Sequence, residues 1–127
     1  MKEIGIGLLG FGTVGAGVVD GLRKNGSLMA RRTGVRLALR KIADLDLKTD
    51  RGVRVNRKIL TRDALSVIDD PAVDIVVELI GGTRIARDFI RRALSLGKPV
   101  VTANKALLAE HGTELFALAE KHHTNIW

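Results

Sequence analysis

Three glycines, in the run Gly10-Phe11-Gly12-Thr13-Val14-Gly15, are the first residues whose types and spacing point to chemistry. They follow directly on an apolar segment, Ile4 to Leu9, and open onto Val14, Val18, Val19 and Leu22, which repeat at helical spacing. Strand, glycine turn and helix in that order make a cradle for a pyrophosphate, and this context gives weight to a pattern that is common by chance. Gly10 permits the tight turn, Gly12 lets backbone approach the phosphates, and Gly15 lets helix and strand pack closely. The free N–H groups and positive dipole end of the helix then face the anion. Phe11, Thr13 and Val14 lie between the glycines, where backbone contacts to a dinucleotide fall.

The next strand should end near an acid that holds the adenosine ribose. Asp44, in Ile42-Ala43-Asp44, is the candidate. It stands 29 residues beyond Gly15, further than the usual ~20, and residues 27–34 account for the excess. An acid at this place favours NAD, because it repels the additional phosphate of NADP. Arg40 and Lys41 are close by and argue the opposite way, and a solvated loop acid is the plain alternative for Asp44. The cofactor is therefore NAD or NADP, with Asp44 tipping the balance to NAD.

Two further strand ends should face the nicotinamide, since ligands of such sheets bind beyond the carboxyl ends of the strands. The first is Val76-Val77-Glu78-Leu79-Ile80-Gly81-Gly82-Thr83, where Gly81 and Gly82 let backbone approach a flat ring. Glu78 interrupts an apolar run, where an acid is costly unless partnered; it is either partnered inside the sheet or placed at an exposed strand tip. The second is Val100-Val101-Thr102-Ala103-Asn104-Lys105. Thr102, Asn104 and Lys105 are candidates for cofactor contact. Asn104 suits the N-cap of the following helix, which puts Lys105 in a first turn where the helix dipole disfavours a cation. A lysine so placed can orient a substrate carbonyl or handle its proton, unless it simply reaches into solvent. His111, His122 and His123 fall late in the last helix without metal-ligand spacing, so no metal site is expected.

The elements that must position these residues alternate. Ile4–Leu9 reads as a strand and Thr13 to Lys24 as a helix that Asn25-Gly26 stops. Residues 27–34 form a loop or extra turn, Val35 to Ala43 a strand, and residues 44–58 a polar, basic loop. Thr61 caps a short helix through Ile68, and Pro71 precedes a strand over Val73 to Ile80. Ile85, Phe89, Ala93 and Leu96 define an amphipathic helix that Gly97 ends. Lys98 to Thr102 is a strand. Leu107, Leu108, Leu115, Leu118 and Ala119 mark a last helix to about His122, and Asn125-Ile126-Trp127 opens one more strand, cut off by the end of the chain. Strands alternating with helices predict an α/β protein, a Rossmann-type doubly wound parallel sheet with helices on both faces.

The 127 residues suffice for one domain with its own core. That core must be aliphatic, because the aromatic residues are only Phe11, Phe89, Phe116 and Trp127. The absence of cysteine excludes disulfides, thiolate metal sites and cysteine nucleophiles. No apolar run approaches a membrane span and no cleavable leader is evident, so a cytoplasmic location without membrane contact is expected. The net charge of +7 is uneven, with 13 Lys or Arg against three acids between Arg23 and Arg62. Nucleic acid is a possible partner for such a region. Yet it carries no aromatic on which a base would stack, and a solvated basic face that attracts an anionic cofactor is the preferred reading.

Gly-Phe-Gly-Thr-Val-Gly at 10–15, Val-Val-Glu-Leu-Ile-Gly-Gly at 76–82 and Gly-Lys-Pro-Val-Val-Thr-Ala-Asn-Lys-Ala-Leu-Leu-Ala at 97–109 together resemble the N-terminal region of homoserine dehydrogenases across nearly the whole chain. The resemblance implies NAD(P)-linked interconversion of L-homoserine and L-aspartate 4-semialdehyde. It also implies Lys105 at the junction of cofactor and substrate, and the Gly81-Gly82 turn beside the nicotinamide. The whole of 1–127 would then be the NAD(P)-binding domain. The substrate and dimerisation domain, with the remaining catalytic residues of a homodimeric enzyme, would lie outside this chain, leaving a fragment that binds cofactor without turnover. The alternatives are the front domain of another amino-acid or semialdehyde dehydrogenase, and a non-catalytic module that senses cofactor.

Overall fold

The computed structural model describes residues 2–127. Five strands lie in one parallel sheet in the order β3-β2-β1-β4-β5. They are β1 (Lys2–Leu9), β2 (Val35–Ala43), β3 (Leu60–Thr61), β4 (Ile75–Glu78) and β5 (Val100–Thr102). The helices are α1 (Thr13–Thr33), α2 (Ala64–Asp69), α3 (Arg84–Ser95) and α4 (Lys105–Lys121). Ile126 adds a single parallel bridge to Val100, where the sequence predicts the opening of a strand. The doubly wound α/β architecture expected from the alternation is the one observed.

Alternation along the buried strands divides the core. Ile6, Leu8, Ile42 and Val77 face α1 through Ala16 and Val19. Leu9, Ala43, Val76 and Val100 face the other way, against Val67 and Ile68 of α2, Ala86 and Ile90 of α3, and Leu107 and Leu115 of α4. A residue at one strand position thus serves one layer and its neighbour the other, as a sheet covered on both faces requires. Among the described residues no helix is long and apolar enough to cross a membrane.

The order in which strands are added reverses between β1 and β4, because β1 continues to β2 on one side while the chain returns to β4 on the other. All strands run the same way, so the turns after β1, β2, β4 and β5 gather at one edge. That edge, at the reversal, is where such sheets hold ligands.

Several expected boundaries move. α1 does not stop at Asn25-Gly26 but runs to Thr33, so residues 27–34 are helical up to the cap. The Asn25 amide bonds the Gly21 carbonyl within the helix. The true stop is Gly34, at φ 72°, whose N–H reaches the Ala30 carbonyl. An isolated helical glycine costs only about 1 kcal/mol, so it signals an end only where the backbone turns left-handed. Asp63, not Thr61, caps α2, its side chain accepting from the Ser66 N–H. Thr61 belongs instead to β3, which the sequence reading missed; two residues carry too little periodicity to identify a strand. β4 covers Ile75–Glu78 rather than Val73–Ile80; the Val73 N–H is held in a turn by the Asp70 carbonyl, and at the other end the Ile80 and Gly81 N–H groups turn to the Glu78 carboxylate. His111 lies near the middle of α4, and only His122 and His123 fall at its end.

A Cβ at Gly26 would meet no atom within 4 Å. Gly26→Ala should therefore stabilise the chain by about 0.5–1 kcal/mol, read from urea unfolding; a destabilisation would mean that the helix ends where the sequence suggested.

Candidate functional site

The turn after β1 is held by what its glycines lack. Gly10 has φ 102°, and a Cβ there would stand 2.8 Å from the Leu79 carbonyl oxygen. A Cβ on Gly15 would stand 2.3 Å from the Gly10 carbonyl oxygen. Both positions are closed to side chains by the fold itself. Gly12 is different: a Cβ there meets nothing within 4 Å, and its φ of −79° is open to any residue. No steric demand among the described residues explains a glycine at position 12, so the space it leaves is open. Gly12 is also the N-cap of α1, and no side chain caps the helix there. The first N–H groups of α1, beginning at Thr13 and Val14, are thus left for an anion.

Asp44 follows β2 directly, beside this turn. One carboxylate oxygen accepts from the Phe11 N–H at 2.6 Å and the other from the Asp46 N–H at 2.8 Å. The acid therefore ties the glycine turn to the β2 loop. It also engages the Phe11 N–H, and the Phe11 ring is buried in the α1-side core. Gly10, Gly12, Asp44 and Ile80 line one cavity of about 520 Å³. Arg62, Leu65, Ile85 and Phe89 also line it. The sequence reading missed these four as site residues; Arg62 and Leu65 reach the ligand edge only because the short β3 joins the sheet. Of the two basic residues near the end of β2, Arg40 is turned away and pairs with Glu3.

The loop beyond Asp44 is organised by a second acid. Asp46 accepts from the Thr49 hydroxyl, from the Thr49 and Lys48 N–H groups at 3.1 Å, and from Arg51 at 3.1 Å. The Thr49 hydroxyl does most to hold its carboxyl down, to about 2 from an ordinary 3.8, with the backbone donors and Arg51 assisting against desolvation.

The second group of candidates forms its own cluster on the neighbouring strand ends. Glu78 has none of its surface exposed, which decides between its two readings: it is partnered within the sheet. One of its oxygens accepts from the Ile80 N–H at 2.9 Å and the Gly81 N–H at 3.3 Å, and the other from the Thr102 hydroxyl at 2.6 Å. The Thr102 oxygen in turn accepts from the Asn104 N–H at 3.0 Å. Asn104 caps α4, its side-chain oxygen accepting from the Leu107 N–H at 3.0 Å, while its amide donates to the Gly82 carbonyl. Gly81 and Gly82 both hold left-handed backbone, at φ 83° and 72°. Lys105 begins α4 with its side chain exposed, and no ion pair engages it among the described residues.

Comparison with known proteins finds relatives across nearly the whole chain. The family model described as "Homoserine dehydrogenase, NAD binding domain" matches residues 10–127. A homoserine dehydrogenase of Methylobacillus glycogenes is 46% identical over 121 residues, covering 95% of this chain and 29% of that protein. The crystal structure of S. aureus homoserine dehydrogenase superposes with a TM-score of 0.90 at 36% identity, over 99% of this chain and 33% of that one. That of Thiobacillus denitrificans gives 0.89 at 40% identity, over 99% of this chain and 29% of that one. The chain thus spans about 29% of the length of the curated relatives it matches.

Two stability measurements separate the glycines. Gly15→Val should cost at least about 1–3 kcal/mol through overpacking, whereas Gly12→Val should cost no more than about 1 kcal/mol, the scale of a lost N-cap preference; equal losses in urea unfolding would contradict the assignment. For Asp46, a folded pKa below the unfolded one means that its contribution is present above 3.8 and disappears as pH falls toward about 2. Its carboxyl carbon should titrate by NMR near that lower value, and Thr49→Ala should move the midpoint back up.

Proposed function

The chain belongs to the family of homoserine dehydrogenase NAD-binding domains, and from that premise we propose that it is the cofactor-holding part of an enzyme interconverting L-homoserine and L-aspartate 4-semialdehyde. The observation that carries the proposal is Gly12, a glycine without a steric reason, standing at the uncapped start of α1 over the open cavity.

The residues present fit a nicotinamide dinucleotide. Gly12 leaves room for the pyrophosphate, and the N–H groups of Thr13 and Val14 bind it at the positive end of α1. Gly10 and Gly15 hold the turn that brings those donors to the strand edge. The Asp44 carboxylate has about four lone-pair sites; two are used by the Phe11 and Asp46 N–H groups, and the others accept ribose hydroxyls. An anion in that place favours NAD. Arg62, lining the same cavity, joins Lys41 in favour of NADP, and it takes the place of Arg40 because Arg40 pairs with Glu3.

Gly81, Gly82, Thr102 and Asn104 flank the nicotinamide half of the crevice. Lys105, exposed at the start of α4, orients the substrate carbonyl or handles its proton. The bound dinucleotide supplies hydride exchange at the carbonyl carbon. A substrate-binding domain and a homodimer interface belong to the rest of the protein, which we place in the cytoplasm.

Titration of the purified chain with NADH and NADPH tests the proposal. Saturable binding, tighter for NADH and lost in Gly12→Val while that variant remains folded, is the expected result, with no turnover of homoserine by the chain alone. Tighter binding of NADPH would transfer the specificity to Arg62. Binding unchanged in Gly12→Val, or a steady-state rate comparable to a complete dehydrogenase, would overturn the proposal.

A further inference from the structure

We propose that Glu78 is a positioning residue for the nicotinamide half of the site, holding the β4 turn and the start of α4 as a single unit; this rests on the dinucleotide reading above. An unpaired carboxylate with no exposed surface is costly, and among the described residues no cation pairs with it. Its compensation comes instead from the three donors already described, two from the turn after β4 and one from β5.

These bonds close a ring. Glu78 holds the Ile80 and Gly81 N–H groups and receives the Thr102 hydroxyl proton; Thr102 receives the Asn104 N–H; and the Asn104 amide returns to the Gly82 carbonyl, at the far end of the same turn. Because Asn104 also caps α4, the direction in which that helix starts, and with it Lys105, is fixed relative to the Gly81-Gly82 turn. None of these hydrogen bonds includes a residue of the Gly10–Gly15 turn or Asp44, although Leu79 and Ile80 pack closely against Gly10. Glu78 therefore acts chiefly on the nicotinamide half of the crevice.

The ring also explains why the residue is Glu rather than Gln. Both carboxylate oxygens accept. An amide in the same place would keep one acceptor for the turn but would present an N–H to the Thr102 oxygen in place of an acceptor, so the Thr102 hydroxyl proton would lose its partner and the turn its charged acceptor.

The test compares two ligands on the folded chain: NADH, and ADP-ribose, which lacks the nicotinamide. Glu78→Gln should weaken NADH about tenfold, the scale of a lost hydrogen bond to a charged group, and leave ADP-ribose within about twofold. Thr102→Val, which removes the same link from the other side and serves if Glu78→Gln fails to fold, should do likewise. The double variant should be no weaker than Thr102→Val alone, as expected for residues acting through one contact. Equal weakening of both ligands would make Glu78 a purely structural residue, and no weakening of NADH would remove its role; either overturns the proposal. A wild-type chain that binds neither ligand overturns the dinucleotide reading and this inference with it.

Discussion

The Gly10 carbonyl oxygen lies where a Cβ on residue 15 would be, 2.3 Å away. Only with glycine at 15 can the first turn of α1 come down onto the end of β1, and only with Gly10 at φ 102° can the chain reverse tightly enough to begin that turn. The helix start is thereby placed at the carboxyl edge of the sheet, beside the point where strand order reverses. The remaining site residues depend on that placement. Asp44 finds the Phe11 N–H because the turn brings it there, and Gly12 stands over open space at the start of α1.

The two halves of the crevice are built on one device, an acid at the end of a strand whose carboxylate collects the N–H groups of a loop. Asp44 does this after β2, with Phe11 and Asp46. Glu78 does it after β4, with Ile80 and Gly81. The devices differ in exposure. Asp44 lines a cavity and keeps unused acceptor capacity, whereas Glu78 is sealed and all its contacts are internal. The same residue chemistry thus yields a cavity-facing group on one side and a framework group on the other. Glycines at left-handed backbone then supply the flexibility of form that the carboxylates fix.

Much of the fold was legible in the sequence because its signals were local. The bounds of β2 and the capping of α4 by Asn104 follow from apolar runs and cap chemistry, and the glycine turn from its spacing. What escaped was set by tertiary partners. Gly26 looked like a helix stop, yet only Gly34 takes the left-handed conformation that ends α1. Leu60-Thr61 becomes a strand solely through pairing with Ile42 and Ala43, and without β3 nothing indicated that Arg62 and Leu65 would reach the cavity. Glu78 was visible as an anomaly in an apolar run, but the donor that ties it to the neighbouring strand, Thr102, lies 24 residues away. That separation is beyond the reach of any periodicity.

The central claim is that one crevice at the carboxyl edge accepts a dinucleotide, with the adenosine on the Asp44 side and the nicotinamide on the Glu78 side. Amide-resolved NMR of the ¹⁵N-labelled chain titrated with NADH tests it most directly. The account requires the largest shifts at Gly12 to Gly15, near Asp44, and at Ile80 to Gly82 and Asn104 to Lys105. Shifts confined to the outer faces of α3 and α4, or to the basic face away from the turn, would contradict it.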